Sequence, residues 1–299
     1  MNATAIALDP AVATGGMRQR QWLIVLRSAL RLWRTRLGLA ILVLIVLIAL
    51  LGPAIAPHGQ LAFVAPDNSG PSSHALFGTD TLGRDVWSRF LDGGRSVLGL
   101  SVLSTLLGVS LGLLIGLTAA YAHGAVDEIL MRVSDVFLSF PQILFALLLV
   151  AALGSNVWLL VAAVGITTAP RVARVMRGAA LQVVERDFVK AAEAVGEKRR
   201  RIIFGELLPN VSSPLMVECG LRLTYSIGLI AALDYLGFGV QPPNADWGYM
   251  IYENQLAVTV QPWGVVLPVI AIGLLTIGAG LVTDGIARAA IGLDGRGSS

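Results

Sequence analysis

The sequence has 299 residues, of which 55% are hydrophobic and only 14% are charged, and its mean hydropathy is +0.74. A soluble domain of this length could not bury so much apolar surface, so the composition excludes a soluble globular protein and predicts an integral membrane protein. The formal net charge of +3 gives little support to a nucleic-acid partner, because the arginines lie next to apolar blocks.

The N-terminal segment, residues 1–36, is predicted to be cytoplasmic and to include an interfacial amphipathic helix between residues 17 and 36. On a helical projection one face is apolar and the opposite face carries arginines. The apolar face holds Trp22, Val25, Leu26, Ala29 and Trp33, and the other face holds Arg20, Arg27, Arg31 and Arg34. Two tryptophans on the apolar side favour a helix on the membrane surface over a solvated charged lead-in.

Six apolar runs approach the roughly 20 helical residues that cross a hydrocarbon core of about 30 Å. They lie at residues 37–57, 97–122, 133–153, 157–176, 215–238 and 263–286. The fourth is the weakest, because Pro170 and Arg171 shorten it. The first is longer than the core of a signal peptide, which has about 7 to 15 residues, so it is expected to stay uncleaved. The predicted fold is an all-α membrane protein with about six transmembrane helices.

The arrangement of cationic residues predicts that both termini are cytoplasmic. With this orientation 18 of the 22 Lys and Arg residues lie in inner segments, while only Arg84, Arg89 and Arg95 lie outside, as the positive-inside rule requires. The chain then divides into the N-terminal segment, a first transmembrane helix with an extracytoplasmic loop (37–96), a helical core (97–286) that contains a long inner loop (177–209), and a cytoplasmic tail (287–299).

Small residues recur every fourth position in the second run, at Ser104, Gly108, Gly112 and Gly116. Small side chains on one helical face let another helix backbone approach closely. The pattern predicts a packed bundle rather than a lone anchor, without identifying the partner helix.

The inner loop is too long for a simple connection. Ala191 and Ala192 favour a helix, Gly196 suits a left-handed position, and Pro209 suits the first turn of another helix. A short surface helix, a turn and a second helix that re-enters the bilayer are predicted.

This loop resembles the EAA loop of type I ATP-binding-cassette (ABC) importer permeases. The residues that match in register are Ala191, Ala192, Gly196, Leu208 and Pro209, while Lys190 replaces the family Glu and Glu206 replaces Ile or His. In the family the loop is a coupling helix that docks in a cleft of the ATPase subunit. The resemblance therefore assigns coupling to the five matching residues, to Glu193 and to Glu206. The alternative is a loop whose cations at 198–201 merely meet lipid headgroups.

Two further stretches resemble the second permease of dipeptide, oligopeptide and nickel importers (DppC/OppC-like). Residues 77–89 read Phe-Gly-Thr-Asp-Thr-Leu-Gly-Arg-Asp-Val-Trp-Ser-Arg, and residues 236–243 read Leu-Gly-Phe-Gly-Val-Gln-Pro-Pro, with Ala245 in place of the usual Pro. The resemblance covers about residues 77–286. It implies a MetI-like permease fold in the bacterial inner membrane, a homologous second permease, two ATPase subunits that bind ATP and Mg²⁺, and an extracytoplasmic substrate-binding protein.

The outer loop before the last span is interpreted as a docking surface for that binding protein, because prolines fix the backbone and aromatic rings offer amphipathic anchors. The predicted docking residues are Gln241, Pro242, Pro243, Trp247 and Tyr249. An aromatic belt at the headgroup level is a compatible alternative.

Charges inside the predicted spans need an explanation, because each costs about 2.5 to 3.5 kcal/mol in the bilayer. Glu218 and Arg222 are four residues apart, and their pairing on one helical face is favoured over contact with substrate. Asp135 has no predicted partner, and Asp234 is expected near the membrane interface. The resemblance implies that the fifth span lines the translocation path, so the candidate path residues are Tyr225, Ser226, Gly228, Glu218 and Arg222.

The sequence offers little for catalysis or metal binding. Cys219 is interpreted as a packing residue, and the histidines at positions 58, 74 and 123 are too scattered for a metal site, so no catalytic residue and no metal are predicted. The absence of a Gly-x-x-x-x-Gly-Lys-Ser/Thr stretch means that any ATP must be bound by another chain. The predicted function is a non-catalytic permease subunit that forms half of a path for dipeptides or oligopeptides.

Other functions remain open at this point. Glutathione or nickel is an alternative cargo within the same family. A secondary transporter driven by an ion gradient would be expected to show inverted repeats and a midplane ion site, and no such repeat is found. A membrane-embedded hydrolase would need a nucleophile and a base within reach, and no motif selects one.

Overall fold

The computed structural model describes residues 25–154 and 156–294, with the side chains of 291–294 left out. Residues 25–29 are helical, and nine longer helices follow. These are α1 (Trp33–Ile55), α2 (Val86–Ala122), α3 (Gly124–Leu138), α4 (Gln142–Leu153), α5 (Val157–Val184), α6 (Asp187–Ala194), α7 (Ser212–Tyr235), α8 (Trp247–Asn254) and α9 (Trp263–Asp294). Between α6 and α7 lies a helical stretch, residues 199–210, whose centre at Ile202–Leu207 is π-helical.

Five of these helices, α1, α2, α5, α7 and α9, are long and apolar enough to cross a membrane. The pair α3 and α4 is bent by 86° and is apolar enough when the two helices are taken together, which gives up to six spans within the described residues. The prediction of an all-α membrane protein with about six spans is therefore confirmed.

The third span differs from the prediction of one apolar run at 133–153. The chain breaks between Leu138 and Gln142, because the residue before Pro141 is disfavoured in the α conformation and the proline ring has no N–H to donate. In α5 the opposite occurs. The helix continues through Pro170 to Val184, because Pro170 and its neighbours are buried against α2 and packing holds the helix together.

The seam between α2 and α5 is the tightest helix pair. A Cβ atom added to Gly108, Gly112 or Gly116 would lie only 2.5 to 2.8 Å from the backbone oxygens of Gly165, Ala169 and Ala173 in α5. The predicted close approach is therefore confirmed, and α5 is the partner helix that the sequence did not identify.

The other spans pack around this seam. Helix α1 runs along α9, and α7 lies against both α9 and α2. At the inner end, Val25 and Ala29 are buried against Ala289 of α9. The apolar face of the N-terminal amphipathic segment thus packs partly on the protein itself, while Trp33 is exposed. The predicted members Arg20 and Trp22 lie outside the described residues.

The outer side is covered by a folded unit that we call the outer cap, residues 56–85 and 236–262, which includes α8. A row of aromatic rings, Phe77, Trp87, Phe90 and Trp247, with neighbouring centroids 5.2 to 5.5 Å apart, fixes the cap to the start of α2. The cap thereby connects the outer ends of α2, α7 and α9.

Candidate functional site

The inner segment, residues 187–210, is seated firmly on the bundle. Val189, Ile202 and Leu207 are fully buried in a cluster with Leu117 of α2 and Met176 of α5. These apolar side chains therefore join the segment to the inner ends of two helices that pack closely together.

The turn after α6 has the geometry of a Schellman motif. Glu197 N–H donates to the Ala192 carbonyl at 3.0 Å, and Gly196 N–H donates to the Glu193 carbonyl at 2.9 Å. Gly196 has a φ of 82°, which glycine adopts without the steric cost that a Cβ atom would bring. The predicted left-handed position of Gly196 is thus present in the structure.

The tip of the inner segment is apolar and exposed. Val195, directly before Gly196, is 84% exposed, and Phe188 and Phe204 are exposed as well. Ala191, Glu193 and Gly196 also face outward, whereas Ala192, Glu206, Leu208 and Pro209 are half-buried. The sequence comparison missed Phe188, Val195 and Phe204. An apolar residue next to a helix-ending glycine was the signal for Val195.

The predicted pairing of Glu218 with Arg222 is confirmed, with Arg222 Nε 2.8 Å from Glu218 Oε1. The Arg222 guanidinium lies 5.2 Å from the ring centroid of Tyr225, and Tyr225 is 61% exposed. Gly228 is exposed too. Ser226 is buried, so the structure does not place it on the same surface as Tyr225.

Three cations of α5 hold the bent pair α3–α4. Arg177 pairs with Asp127, Arg174 pairs with Asp135, and Arg171 Nη1 donates to Gln142 Oε1 at 2.7 Å. These contacts explain the charge of Asp135 that the sequence left without a partner. They also connect the broken span to the helix that leads into the inner segment.

A buried ion cluster organises the outer cap. Arg84 Nε donates to Asp80 Oδ2 at 2.7 Å, and Arg89 Nη2 donates to Glu253 Oε2 at 2.6 Å. All four side chains are almost completely buried, and two positive charges face two negative charges. Glu253 of α8 was not singled out from the sequence, because its partners precede it by more than 160 residues.

The predicted docking residues differ in how far the structure buries them. The structure leaves Gln241, Pro242 and Pro243 exposed, whereas Tyr249 is half-buried. Burial and the neighbouring carboxylate of Glu253 raise the pKa of the Tyr249 hydroxyl. Trp247 is 0% exposed and its Nε1 donates to the Phe90 carbonyl at 2.8 Å. Its assignment to a docking surface is corrected accordingly, since its ring stacks inside the cap rather than facing a partner.

The outer cap also carries exposed apolar residues that the sequence analysis does not select. Leu256 is 94% exposed, and Val260 is exposed as well. Both follow α8 within the outer cap, so the apolar outer surface is centred after α8 rather than on Trp247.

Two carboxyl groups meet under the cap. Asp234 at the end of α7 is fully buried rather than near an aqueous interface as expected, and its Oδ1 accepts from Val240 N–H at 3.1 Å. Asp246 accepts from Ser96 Oγ at 2.5 Å and from Tyr249 N–H at 3.0 Å, and burial raises its pKa. The two buried carboxyl groups are close enough for their charges to interact, and two like charges in a buried site oppose each other's ionisation.

Residues 108–290 match the family described as binding-protein-dependent transport system inner membrane component. Residues 21–71 match the N-terminal transmembrane domain of oligopeptide transport permease C. These two matches together cover most of the bundle, including the inner segment.

Curated relatives match over most of their length. The glutathione transport system permease protein GsiD of Pectobacterium atrosepticum is 36% identical over 83% of this chain and 83% of its own length. The dipeptide transport system permease protein DppC of Alkalihalophilus pseudofirmus is 34% identical over 83% of this chain and 82% of its own.

A solved structure shares the fold. A chain of the MetNI methionine ABC transporter in an inward-facing conformation superposes with a TM-score of 0.52 over 66% of this chain and 96% of that chain, at 19% sequence identity. At this identity the likeness concerns the fold alone.

Proposed function

Because the chain belongs to the family of binding-protein-dependent transport system inner membrane components, we propose that its inner segment couples the helical bundle to a separate ATPase. The chain is a multi-pass permease subunit of an ABC importer in the bacterial inner membrane. The proposal concerns how this subunit is driven, what it assembles with and what it carries.

The proposal rests on one observation: the inner segment has exposed apolar residues at its tip and fully buried apolar residues at its base. Val195 and Phe188 are exposed, whereas Val189, one residue further along α6, is fully buried between α2 and α5. An exposed apolar tip is favourable only where a partner covers it. Because the buried base is packed against α2 and α5, a partner that binds the tip and displaces it also moves these two helices.

The assembly that we propose contains two ATPase subunits, a homologous second permease and an extracytoplasmic binding protein. ATP and Mg²⁺ are held by the ATPase subunits, and this chain contributes no catalytic residue. The inner segment occupies a cleft of one ATPase, and the outer cap receives the binding protein on its exposed surface around Gln241, Pro242, Pro243 and Leu256. This arrangement leaves α7 with Arg222 and Tyr225 to line half of the path, while the buried Glu218 pairs with Arg222 from behind.

The proposed mechanism is rigid-body rocking. ATP binding closes the ATPase pair and displaces α6, the Val189 base carries that displacement to α2 and α5, and the arginines at 171, 174 and 177 carry it to the bent α3–α4 pair. The path then alternates between outward and inward access. The energy for this shift comes from differential contacts of the partners with the two states.

The proposed cargo is a short peptide. The names of two similar permeases, one for glutathione and one for dipeptides, support a peptide backbone as the common chemistry. A nickel complex and glutathione itself are the alternative cargoes within the family. Selection among them is assigned mainly to the binding protein.

The coupling proposal is tested by disulfide or maleimide cross-linking from Val195→Cys in a Cys219→Ser background, with Leu256→Cys as the matched control on the opposite side. We expect Val195→Cys to capture the ATPase and Leu256→Cys to capture the binding protein. Capture of an ATPase by Leu256→Cys, or of no ATPase by Val195→Cys, contradicts the proposal. Uptake of labelled dipeptide, glutathione and Ni²⁺ by the reconstituted importer then identifies the cargo.

A further inference from the structure

The inner half of the bundle contains an apolar cavity of about 490 Å³ between α1, α2, α7 and α9. Of the residues along its wall, two carry hydroxyl groups, Thr105 and Thr283. Both are already used: Thr105 Oγ1 donates to the Ser101 carbonyl at 2.7 Å, and Thr283 Oγ1 donates to the Ala279 carbonyl at 2.8 Å. Apart from the weakly polar thiol of Cys219, the wall therefore offers no free polar side-chain group, which makes it unsuitable for a peptide or another charged solute.

The position of the cavity matches the cytoplasmic leaflet. Its wall includes Met216 and Cys219 near the inner start of α7, and Val282 and Ile286 near the inner end of α9. Leu26 lies at its inner edge. A second, mainly apolar cavity of about 230 Å³ shares Leu26, Val282 and Ile286 with the first, and its one polar wall residue is Thr35, whose buried hydroxyl has no hydrogen-bond partner. Two adjoining apolar spaces that meet at the inner surface have the shape required by a lipid with two acyl chains.

The inner edge is strongly cationic. Residues 25–66 contain four arginines, at positions 27, 31, 34 and 36, and no Asp or Glu. Arg36 Nε donates to the Leu30 carbonyl at 2.8 Å, and the Arg34 guanidinium lies over the Trp33 ring. Arg27 and Arg31 are exposed, and within the described part of the chain neither forms an ion pair. These two arginines directly follow the cavity-wall residues Leu26 and Leu30 in the chain, and their positive charge is complementary to an anionic headgroup above acyl chains.

The cavity is separate from the face of α7 that we assign to the path. At 3.6 residues per turn, Glu218, Arg222 and Tyr225 lie on one face, and Met216, Cys219 and Leu223 lie on another, roughly 120° around the helix. A second permease that completes the path on the first face leaves the second face to the bilayer.

We propose that these two cavities hold the acyl chains of an anionic phospholipid of the cytoplasmic leaflet, with its phosphate bound by Arg27 and Arg31. The lipid fills the space between the N-terminal helical residues 25–29, α1, α7 and α9, and so stabilises the inner end of the bundle. This inference concerns lipid and stands whether or not the proposed cargo is correct.

The test uses the assembled importer in lipid nanodiscs with phosphatidylglycerol that carries a diazirine in one acyl chain, and phosphatidylcholine with the same chain as the neutral control. After irradiation we expect adducts on residues 215–223 and 279–286. Labelling by phosphatidylglycerol should exceed that by phosphatidylcholine several-fold, since each arginine contributes roughly a fivefold preference.

Variants separate the headgroup from the cavity. Arg27→Gln/Arg31→Gln should lower labelling by phosphatidylglycerol to the phosphatidylcholine level, whereas Arg34→Gln/Arg36→Gln, which removes the same charge from groups already engaged, should change it less than about twofold. Equal labelling by the two lipids overturns the proposal, as does equal loss in the two double variants. Cross-linking from Cys219 that captures residues 1–24 or a second permease instead of lipid overturns it as well.

Discussion

Arg84 and Glu253 lie 169 residues apart in the chain, and yet Arg84 Nη2 donates to both carboxylate oxygens of Glu253 at 3.0 Å. Arg89 pairs with the same carboxylate. Glu253 and Asp80 together therefore balance the charges of two buried arginines, and without Glu253 only Asp80 would remain. This single side chain joins α8 to the beginning of α2.

Replacement of Glu253 by Gln should destabilise the permease strongly. The substitution leaves a net positive charge buried in the outer cap, and breaking a buried ion pair by removing one partner costs about 3 to 5 kcal/mol. Thermal unfolding of the purified permease in detergent measures the loss. Glu185→Gln is the control, because its pair with Lys190 is exposed and should contribute less than about 1 kcal/mol. Equal losses in the two variants would contradict the structural role of the cluster.

The α2–α5 seam predicts opposite effects for two Gly→Ala changes on one helix. At Gly112 an added Cβ would lie 2.5 Å from the Ala169 carbonyl oxygen, whereas at Gly99 no atom lies within 4 Å. We expect Gly112→Ala to lower the free energy of unfolding by about 1 to 3 kcal/mol through overpacking. Gly99→Ala should raise it by up to about 1 kcal/mol through helix propensity. Stabilisation by Gly112→Ala would show that the helices are not in contact there.

The sequence predicted those features that local patterns encode. The four-residue spacing of Gly108, Gly112 and Gly116 predicts a close helix approach because it needs only the geometry of one helix. Gly196 was predicted for the same reason, since a helix-ending turn is a local structure. The sequence shows that the third apolar run is interrupted by a proline, but it does not predict the bend of 86°, because the residues on both sides of Pro141 are equally apolar and hydropathy alone does not distinguish a straight span from a bent one.

The parts that were not predicted depend on distant contacts. Trp247 reads as an amphipathic anchor within its own loop, and only the position of Phe90, 157 residues earlier, shows that its N–H is used inside the fold. From its position at the end of a span, Asp234 is likewise expected near the interface, whereas in the structure Asp246 and Val240 pack around it. A buried polar group is recognised by its partners, and single-sequence patterns do not pair residues across such separations.

Gly196→Val should uncouple transport from ATP hydrolysis. A β-branched residue is strained at a φ of 82°, so the turn after α6 and the exposed Val195 tip are expected to shift. We expect uptake by the reconstituted importer to fall at least about tenfold, the effect of roughly 1.4 kcal/mol in coupling free energy, while assembly is largely retained. Gly205→Val is the matched control in the same segment, since Gly205 has ample space and no positive φ. Unchanged uptake in Gly196→Val would refute the coupling role of the inner segment.

The buried carboxyl pair predicts a pH dependence of stability whose sign follows from burial. Burial raises the pKa of Asp246 above its ordinary value of 3.8. A carboxyl group whose pKa is raised in the folded state stabilises the fold fully below its ordinary pKa, and this contribution is lost as the pH rises through the raised value. We therefore expect the melting temperature of the purified permease to fall across this interval as the buried carboxyl group of Asp246 loses its proton. Asp246→Asn should reduce the dependence, because the amide oxygen still accepts at the start of α8 and the amide group does not ionise. Asp67→Asn, an exposed site in the outer cap, is the control and should leave the pH profile unchanged. A profile in Asp246→Asn that is as steep as that of the parent protein would show that the ionisation of Asp246 does not control the stability in this range.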